Sequence, residues 1–369
     1  MHLKKLSLVN FKNYAQAELE PGPGVNCFAG PNGTGKTNLL DAIHYLSFCK
    51  SFFNPIDSQN ILHEAPFFVV QGWFEREGEE EEIYCGQKRG QKKQFKRNKK
   101  EYSRLADHIG LLPCVMMSPS DTELIYEGSE ERRKFMDSII SQSDREYLEE
   151  LIHYNKVLLQ RNALLRQFGE GAPYDKASLE IWDEQLVKSG TIIYKKRMDF
   201  MAHFIQLFRE HYKFISEGRE EMNVHYESQL HHGDLKVLLE TSVRKDMAVE
   251  YTTHGIHKDD LEFKLGDHPV KKFGSQGQQK SLLVALRLAQ FDFIAKLKKV
   301  KPILLLDDIY DKLDDMRVRK LMELVSSHRF GQIFITDTNA ERIKDLFKGI
   351  DVELRMFEVS SESGVRNLE

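Results

Sequence analysis

The chemistry of this chain starts at Gly30-Pro31-Asn32-Gly33-Thr34-Gly35-Lys36-Thr37, which fits the phosphate-loop pattern G-x-x-x-x-G-K-[ST] at every fixed position. Glycines let backbone N–H groups curl round a phosphate chain, and the following helix, starting near Asn38, adds its positive end. Lys36 is expected to reach the β- and γ-phosphates, and Thr37 to offer a hydroxyl to Mg²⁺. The motif needs a strand before it and a helix after it. Val25-Asn26-Cys27-Phe28-Ala29 reads as a short buried strand, and residues 38–46 carry helical apolar spacing. A nucleoside triphosphate site is therefore predicted in a mixed α/β fold.

The second half of such a site lies near the other end of the chain. Pro302-Ile303-Leu304-Leu305-Leu306 is an apolar run ending in Asp307-Asp308. A strand buried on both faces has this pattern, and its carboxyl edge is where open α/β sheets bind ligands. Asp307 is predicted to hold Mg²⁺, and Asp308 to orient or deprotonate an attacking water. Residues 331–338 read as the next strand. Ser275-Gln276-Gly277-Gln278-Gln279 stands just before a strong helix at 281–289, a second anion site that one nucleotide does not need. In the ATP-binding-cassette class this element closes over the γ-phosphate held by another subunit. The order of the three elements predicts an ABC-type P-loop ATPase head, α/β in class, that sandwiches ATP in a homodimer.

Length, at 369 residues, suggests two or three domains. Hydrophobic residues make up 41% and charged residues 30%, as in a globular protein with ample core. No apolar run approaches the roughly 20 residues of a membrane helix, and the N-terminus does not read as a signal peptide. No membrane partner is expected, and the location is read as cytoplasmic, beside the nucleoid. The four cysteines, Cys27, Cys49, Cys85 and Cys114, are far apart among apolar neighbours and read as buried thiols. Between about Ser129 and Lys213 the texture turns to long helices broken at 169–173, so residues 1–128 and 214–369 are read as two halves of the ATPase domain and 129–213 as a helical insertion.

Net charge, formally -4, leaves nucleic-acid binding to a local basic surface. Residues 88–100 hold eight Lys or Arg, including Lys92, Lys93, Lys96 and Arg97; six glutamates stand at 75–82. Either the two runs are neighbouring strands of a hairpin with opposite charges facing, or the basic run grips a phosphate backbone. His254, His257, Asp259 and Asp260 offer metal-ligand chemistry at no standard zinc spacing.

Across almost its whole length the sequence resembles the RecF family of bacterial recombination-mediator ATPases, relatives of the Rad50 and SMC heads. The resemblance is carried by residues 6–14 and 35–43, Ser118-Pro119-Ser120-Asp121, residues 131–137, Leu159-Gln160-Arg161-Asn162, Trp182-Asp183-Glu184-Gln185-Leu186, His257-Lys258-Asp259-Asp260, Ser275 to Gln279 and Leu306-Asp307-Asp308. It implies ATP-dependent dimerisation on DNA, preference for duplex beside a single-stranded gap, slow hydrolysis, and cooperation with RecR and RecO in loading RecA. Asp308, one methylene shorter than the glutamate of many cassette ATPases, fits a switch better than a motor. Three positions depart from the family pattern: Lys12, expected to touch the nucleotide, replaces arginine, Phe53 replaces arginine, and Asp311 replaces serine. Asp337 or Thr338 stands where transporters sense the γ-phosphate.

Other classes fit less well. A transporter ATPase lacks need of so large an insertion, an SMC-like or Rad50-like structural machine requires far longer heptad helices, and no nuclease metal cluster is apparent.

Overall fold

The computed structural model describes residues 1–308, 315–327, 329–360 and 364–368. The chain divides into two compact units, residues 1–121 with 280–369, and residues 122–279.

The first unit holds two six-stranded sheets. One is antiparallel, built from β1 (His2–Phe11), β2 (Tyr14–Leu19), β4 (Phe67–Arg76), β5 (Glu79–Lys88), β6 (Gln94–Arg97) and β7 (Lys100–Glu101) in the order β2-β1-β4-β5-β6-β7. β1 buries Leu3, Leu6 and Leu8, and a register shift between Leu3 and Lys5 accounts for the three-residue gap in its alternation. The other sheet takes the order β15-β14-β3-β13-β12-β8, from β3 (Val25–Ala29), β8 (Cys114–Met117), β12 (Ile303–Leu306), β13 (Ile333–Asp337), β14 (Leu354–Ser360) and β15 (Gly364–Leu368). Neighbours from β14 to β8 run parallel, and only β15 is antiparallel. All residues of β3, β8, β12 and β13 are buried, hence their unbroken apolar runs. Helix α1 (Lys36–Phe48) joins both sheets in one core, in which Leu39, Ile43 and Leu46 meet Phe11, Phe68 and Phe74 from the antiparallel sheet and Phe28, Phe334 and Phe357 from the parallel one.

The second unit contains α2 (Glu123–Tyr126), α3 (Ser129–Ser143), α4 (Arg145–Gly169), α5 (Lys176–Ser216), α6 (Leu235–Val249) and α7 (Val270–Phe273), with the small sheet β11-β10-β9 formed by β9 (Met222–Glu227), β10 (Asp260–Leu265) and β11 (His268–Pro269). Asp144 and Asp175 cap α4 and α5 by accepting backbone N–H bonds. The unit is larger than the insertion expected at 129–213, since β9, β10 and α6 pack with the long helices; it closes at Gln279, inside α8 (Gln276–Lys298).

Buried ions hold this unit together. Arg161, fully buried, reaches Asp183 at 2.5 Å, Asp246 at 2.7 Å and the Thr252 hydroxyl at 2.9 Å. Arg197 bonds Asp137 at 2.8 Å, Asp259 at 2.6 Å and the Ile256 carbonyl at 2.8 Å. Arg161, Asp183 and Asp259 belong to the family-like stretches at 159–162, 182–186 and 257–260, and with Arg197, Asp137 and Asp246 they join α3, α4, α5, α6 and the approach to β10. His257 lies between the Tyr154 hydroxyl and the Thr252 carbonyl, and Asp260 takes both arms of Arg132. That segment is structural, because its candidate metal ligands His257, Asp259 and Asp260 are spent on protein partners.

Candidate nucleotide-binding site

The phosphate loop leaves the carboxyl end of β3 and enters α1. Gly33 and Gly35 have φ of 82° and 107°, a region costly for side chains, and a Cβ on Gly35 would collide with the Asn13 side chain. Pro31, Asn32 and Gly33 are exposed, and Gly30 donates its N–H to the Asp337 carbonyl at 3.2 Å. Lys36 is 4% exposed, its ammonium folded onto the carbonyls of Gly30 at 2.8 Å and Pro31 at 3.0 Å. Both carbonyls belong to the loop, so the ammonium already sits where phosphate oxygens would compete for it.

Strand register brings the distant carboxylates here. Leu306 pairs with both Met117 and Ile335, so Asp307 emerges at the same sheet edge as Thr336 and, through β13, as Ala29 and the loop. The Thr37 hydroxyl donates to Asp307 Oδ1 at 2.8 Å, and the Thr336 hydroxyl to the same oxygen at 2.9 Å. Burial raises the Asp307 pKa above the ordinary carboxylate value, opposed by these hydroxyls. Two neutral hydroxyls and a buried carboxylate, all oxygen donors, fit a hard divalent cation such as Mg²⁺. Asp308 follows with φ of 43°, its N–H donated to Thr336 Oγ1 at 2.8 Å and its side chain half-buried. Thr336 had no sequence signal of its own beyond its place at the strand edge. Asp337 is 2% exposed and clamped by Arg342 at 2.7 and 2.8 Å, whereas Thr338 is exposed. Asp311 and residues 312–314, the segment that lacks the usual serine, lie outside the described residues.

The turn between β1 and β2 braces the loop, which sequence reading missed. Asn13 donates to the Thr34 carbonyl at 3.0 Å and accepts from the Asn38 amide at 2.7 Å. Its neighbour Lys12 departs from the expected nucleotide contact: the ammonium pairs with Asp41 Oδ2 at 2.5 Å, and Asp41 is fully buried. Asp41 also accepts from the Ser51 hydroxyl and the Phe52 N–H, both at 2.6 Å. Asp41 was legible only as a charge inside an apolar helix.

The signature lies in the second unit. Ser275 and Gln278 form a reciprocal capping box: the Ser275 N–H donates to Gln278 Oε1 at 2.6 Å and the Gln278 N–H to Ser275 Oγ at 3.3 Å. Gln279 accepts from the Tyr126 hydroxyl at 2.6 Å, Gln278 donates to Glu220 at 2.5 Å, and Ser275 and Gln276 are exposed while Gly277 is half-buried. The signature is thus a preformed helix start.

Of the eight cations at 88–100, Lys88, Arg89, Lys92, Lys99 and Lys100 are exposed, and Lys93, Lys96 and Arg97 are half-buried in contacts within the fold. Arg97 makes a two-armed pair with Glu81, which lowers the Glu81 pKa, so acid and base runs do face each other across β5 and β6. The Lys93 ammonium bonds Asp57 at 2.7 Å, the Cys49 carbonyl at 2.6 Å and the Tyr45 hydroxyl at 3.1 Å, so it ties the 49–57 segment to the basic run. Lys96 lies over the Tyr84 ring, and of these four only Lys92 is exposed. All four cysteines are buried free thiols.

Comparison with known proteins agrees with this geometry. The family model for the RecF/RecN/SMC N-terminal domain matches residues 2–361. A DNA replication and repair protein RecF from Phocaeicola vulgatus is 55% identical over 97% of this chain and 96% of its own length. Its counterpart from Flavobacterium johnsoniae is 51% identical over 97% and 99%. A solved structure of the recombination mediator protein RecF-ATP in the RecFOR pathway superposes with a TM-score of 0.89 at 30% identity, covering 100% of this chain and 97% of that one. An SMC head bound to a winged-helix domain of ScpA shares the fold at TM-score 0.59 and 17% identity, over 100% of this chain and 98% of that one.

Proposed function

We propose that this chain, which belongs to the RecF/RecN/SMC N-terminal domain family and within it to the RecF DNA replication and repair proteins, works as an ATP-dependent clamp on DNA. The observation that carries the reading is Thr37 joined to Asp307 across 270 residues of sequence, beside a phosphate loop whose lysine holds two loop carbonyls. In this reading residues 30–38 wrap the triphosphate through backbone N–H groups, and Lys36 leaves its carbonyls for the β- and γ-phosphates. Thr37 and Asp307 hold Mg²⁺, which when bound neutralises charge on the phosphates. Asp308 positions the attacking water from a positive-φ backbone whose N–H is held by Thr336, and its short reach keeps hydrolysis slow.

The capping box at Ser275 to Gln279 of a second copy completes the site from the far side of the γ-phosphate, so ATP joins two chains and hydrolysis releases them. Duplex DNA beside a single-stranded gap is the proposed partner of the dimer, with RecR, RecO and through them RecA as proposed protein partners, and hydrolysis stimulated by DNA. A cytoplasmic, nucleoid-associated location goes with these partners. Sedimentation with Mg²⁺-ATP and gapped duplex tests the clamp. Wild type is expected to dimerise, Lys36→Ala to lose ATP binding, and Ser275→Arg to bind ATP yet stay monomeric. Dimerisation of Ser275→Arg on ATP as strong as that of wild type would sink the sandwich.

A further inference from the structure

The second unit sorts neighbouring charges, turning acids inward and leaving a group of cations outside. Lys245 and Asp246 are adjacent on α6, yet Asp246 is fully buried on Arg161 while Lys245 is exposed. Lys258 and Asp259 repeat the arrangement: Asp259 is fully buried on Arg197 and Lys258 is exposed. Asp260, next along, takes both arms of Arg132. The carboxylates beside these lysines in sequence are therefore committed to arginines.

Two further side chains draw the lysines into one patch. Arg133, half-buried on α3, donates to two neutral oxygens, Ser129 Oγ and the Asp259 carbonyl, each at 2.7 Å. The Lys258 ammonium lies 4.8 Å from the centroid of the Tyr251 ring, which is 47% exposed. Partial desolvation first, then the charges of Arg133 and Lys245, push the Lys258 pKa below the ordinary lysine value, with buried Asp246 opposing. The three cations thus crowd one another, and their repulsion is relieved when an anion sits among them.

We infer that Lys245, Lys258 and Arg133, with the Tyr251 ring beside them, dock the phosphate backbone of DNA, a site that rests on the DNA-clamp reading and locates part of its contact. Phosphates recur whatever the base order, so the patch supplies affinity without sequence choice. The exposed ring favours nucleic acid over an acidic protein, because cations and ring together match a phosphate and the base or sugar next to it. Fluorescence anisotropy of the full chain in Mg²⁺-ATP with a labelled gapped duplex, read across a salt series, tests this. A Lys245→Gln/Lys258→Gln variant is expected to bind more than about tenfold more weakly at about 0.1 M salt and to lower the log–log salt slope by about 2, equally for two unrelated sequences. Lys245→Arg/Lys258→Arg, which keeps both charges, should stay within about twofold of wild type. Unchanged duplex affinity and slope in the glutamine variant would overturn the site, as would a loss confined to one sequence. Weaker binding to poly-glutamate with duplex binding intact would assign the patch to an acidic protein and overturn it as well. Failure of wild type to bind the gapped duplex at all would instead overturn the DNA reading itself.

Discussion

Replacing Asp41 by asparagine tests the cluster that ties the β1–β2 turn and the 51–54 turn to the phosphate-loop helix. The carboxylate is fully buried and accepts three donors: the Lys12 ammonium at 2.5 Å, the Ser51 hydroxyl at 2.6 Å and the Phe52 N–H at 2.6 Å. Asparagine keeps the shape but removes the charge and turns one acceptor into a donor facing other donors. Removing one partner of a buried ion pair costs about 3–5 kcal/mol, and the Lys12 stem, 14% exposed, can still swing toward water, which places the loss near the low end, about 3 kcal/mol. For a domain of 150–250 residues each kcal/mol lowers Tm by about 2–4 °C, so the shift should be about 6–12 °C. Thermal and urea unfolding followed by circular dichroism read it directly. A Lys12→Met/Asp41→Asn double variant removes both charges while keeping an amide oxygen for the Ser51–Phe52 turn, and should recover more than half of the loss, because desolvation of the lone ammonium disappears. A single variant within about 1 °C of wild type, or a double variant no better than the single, would refute the reasoning.

Acid should destabilise both units. Burial lowers the pKa of His44, His108 and His257 to about 4, below the ordinary histidine value. The unfolded chain then binds more protons between about pH 6.5 and 4, so stability is full above 6.5 and falls as pH drops, by about 2 kcal/mol per histidine at pH 5. Urea midpoints at pH 7 and pH 5 check this, and equal midpoints would contradict it. Lys93→Met should cost about 1–2 kcal/mol, since Asp57 is one-third exposed and keeps the Tyr45 hydroxyl, whereas Lys92→Met should change stability by no more than about 0.5 kcal/mol, as read from urea titrations. Arg197→Met strands Asp137 and Asp259 and should cost about 3–5 kcal/mol; limited proteolysis should then cut residues 122–279 first, and an unaltered cleavage pattern would argue against a structural role.

What was legible in the sequence was whatever short-range pattern encodes. The phosphate loop announces itself because eight consecutive residues must satisfy one backbone path. The strands at 25–29, 303–306 and 333–337 were legible because burial on both faces demands continuous apolar runs. The fate of individual charges was not legible. Lys92 and Lys93 are adjacent and chemically identical, yet one is exposed and the other reaches three oxygens around Asp57, a choice made by the fold of the 49–57 segment. Lys12 likewise pairs with Asp41, a partner that no local pattern announces. The sequence by itself determined that a triphosphate site exists and which strands carry its two halves. Only tertiary structure decided which cations are spent inside the protein, because the partner that neutralises a charge is chosen by distance in space, which sequence separation does not encode.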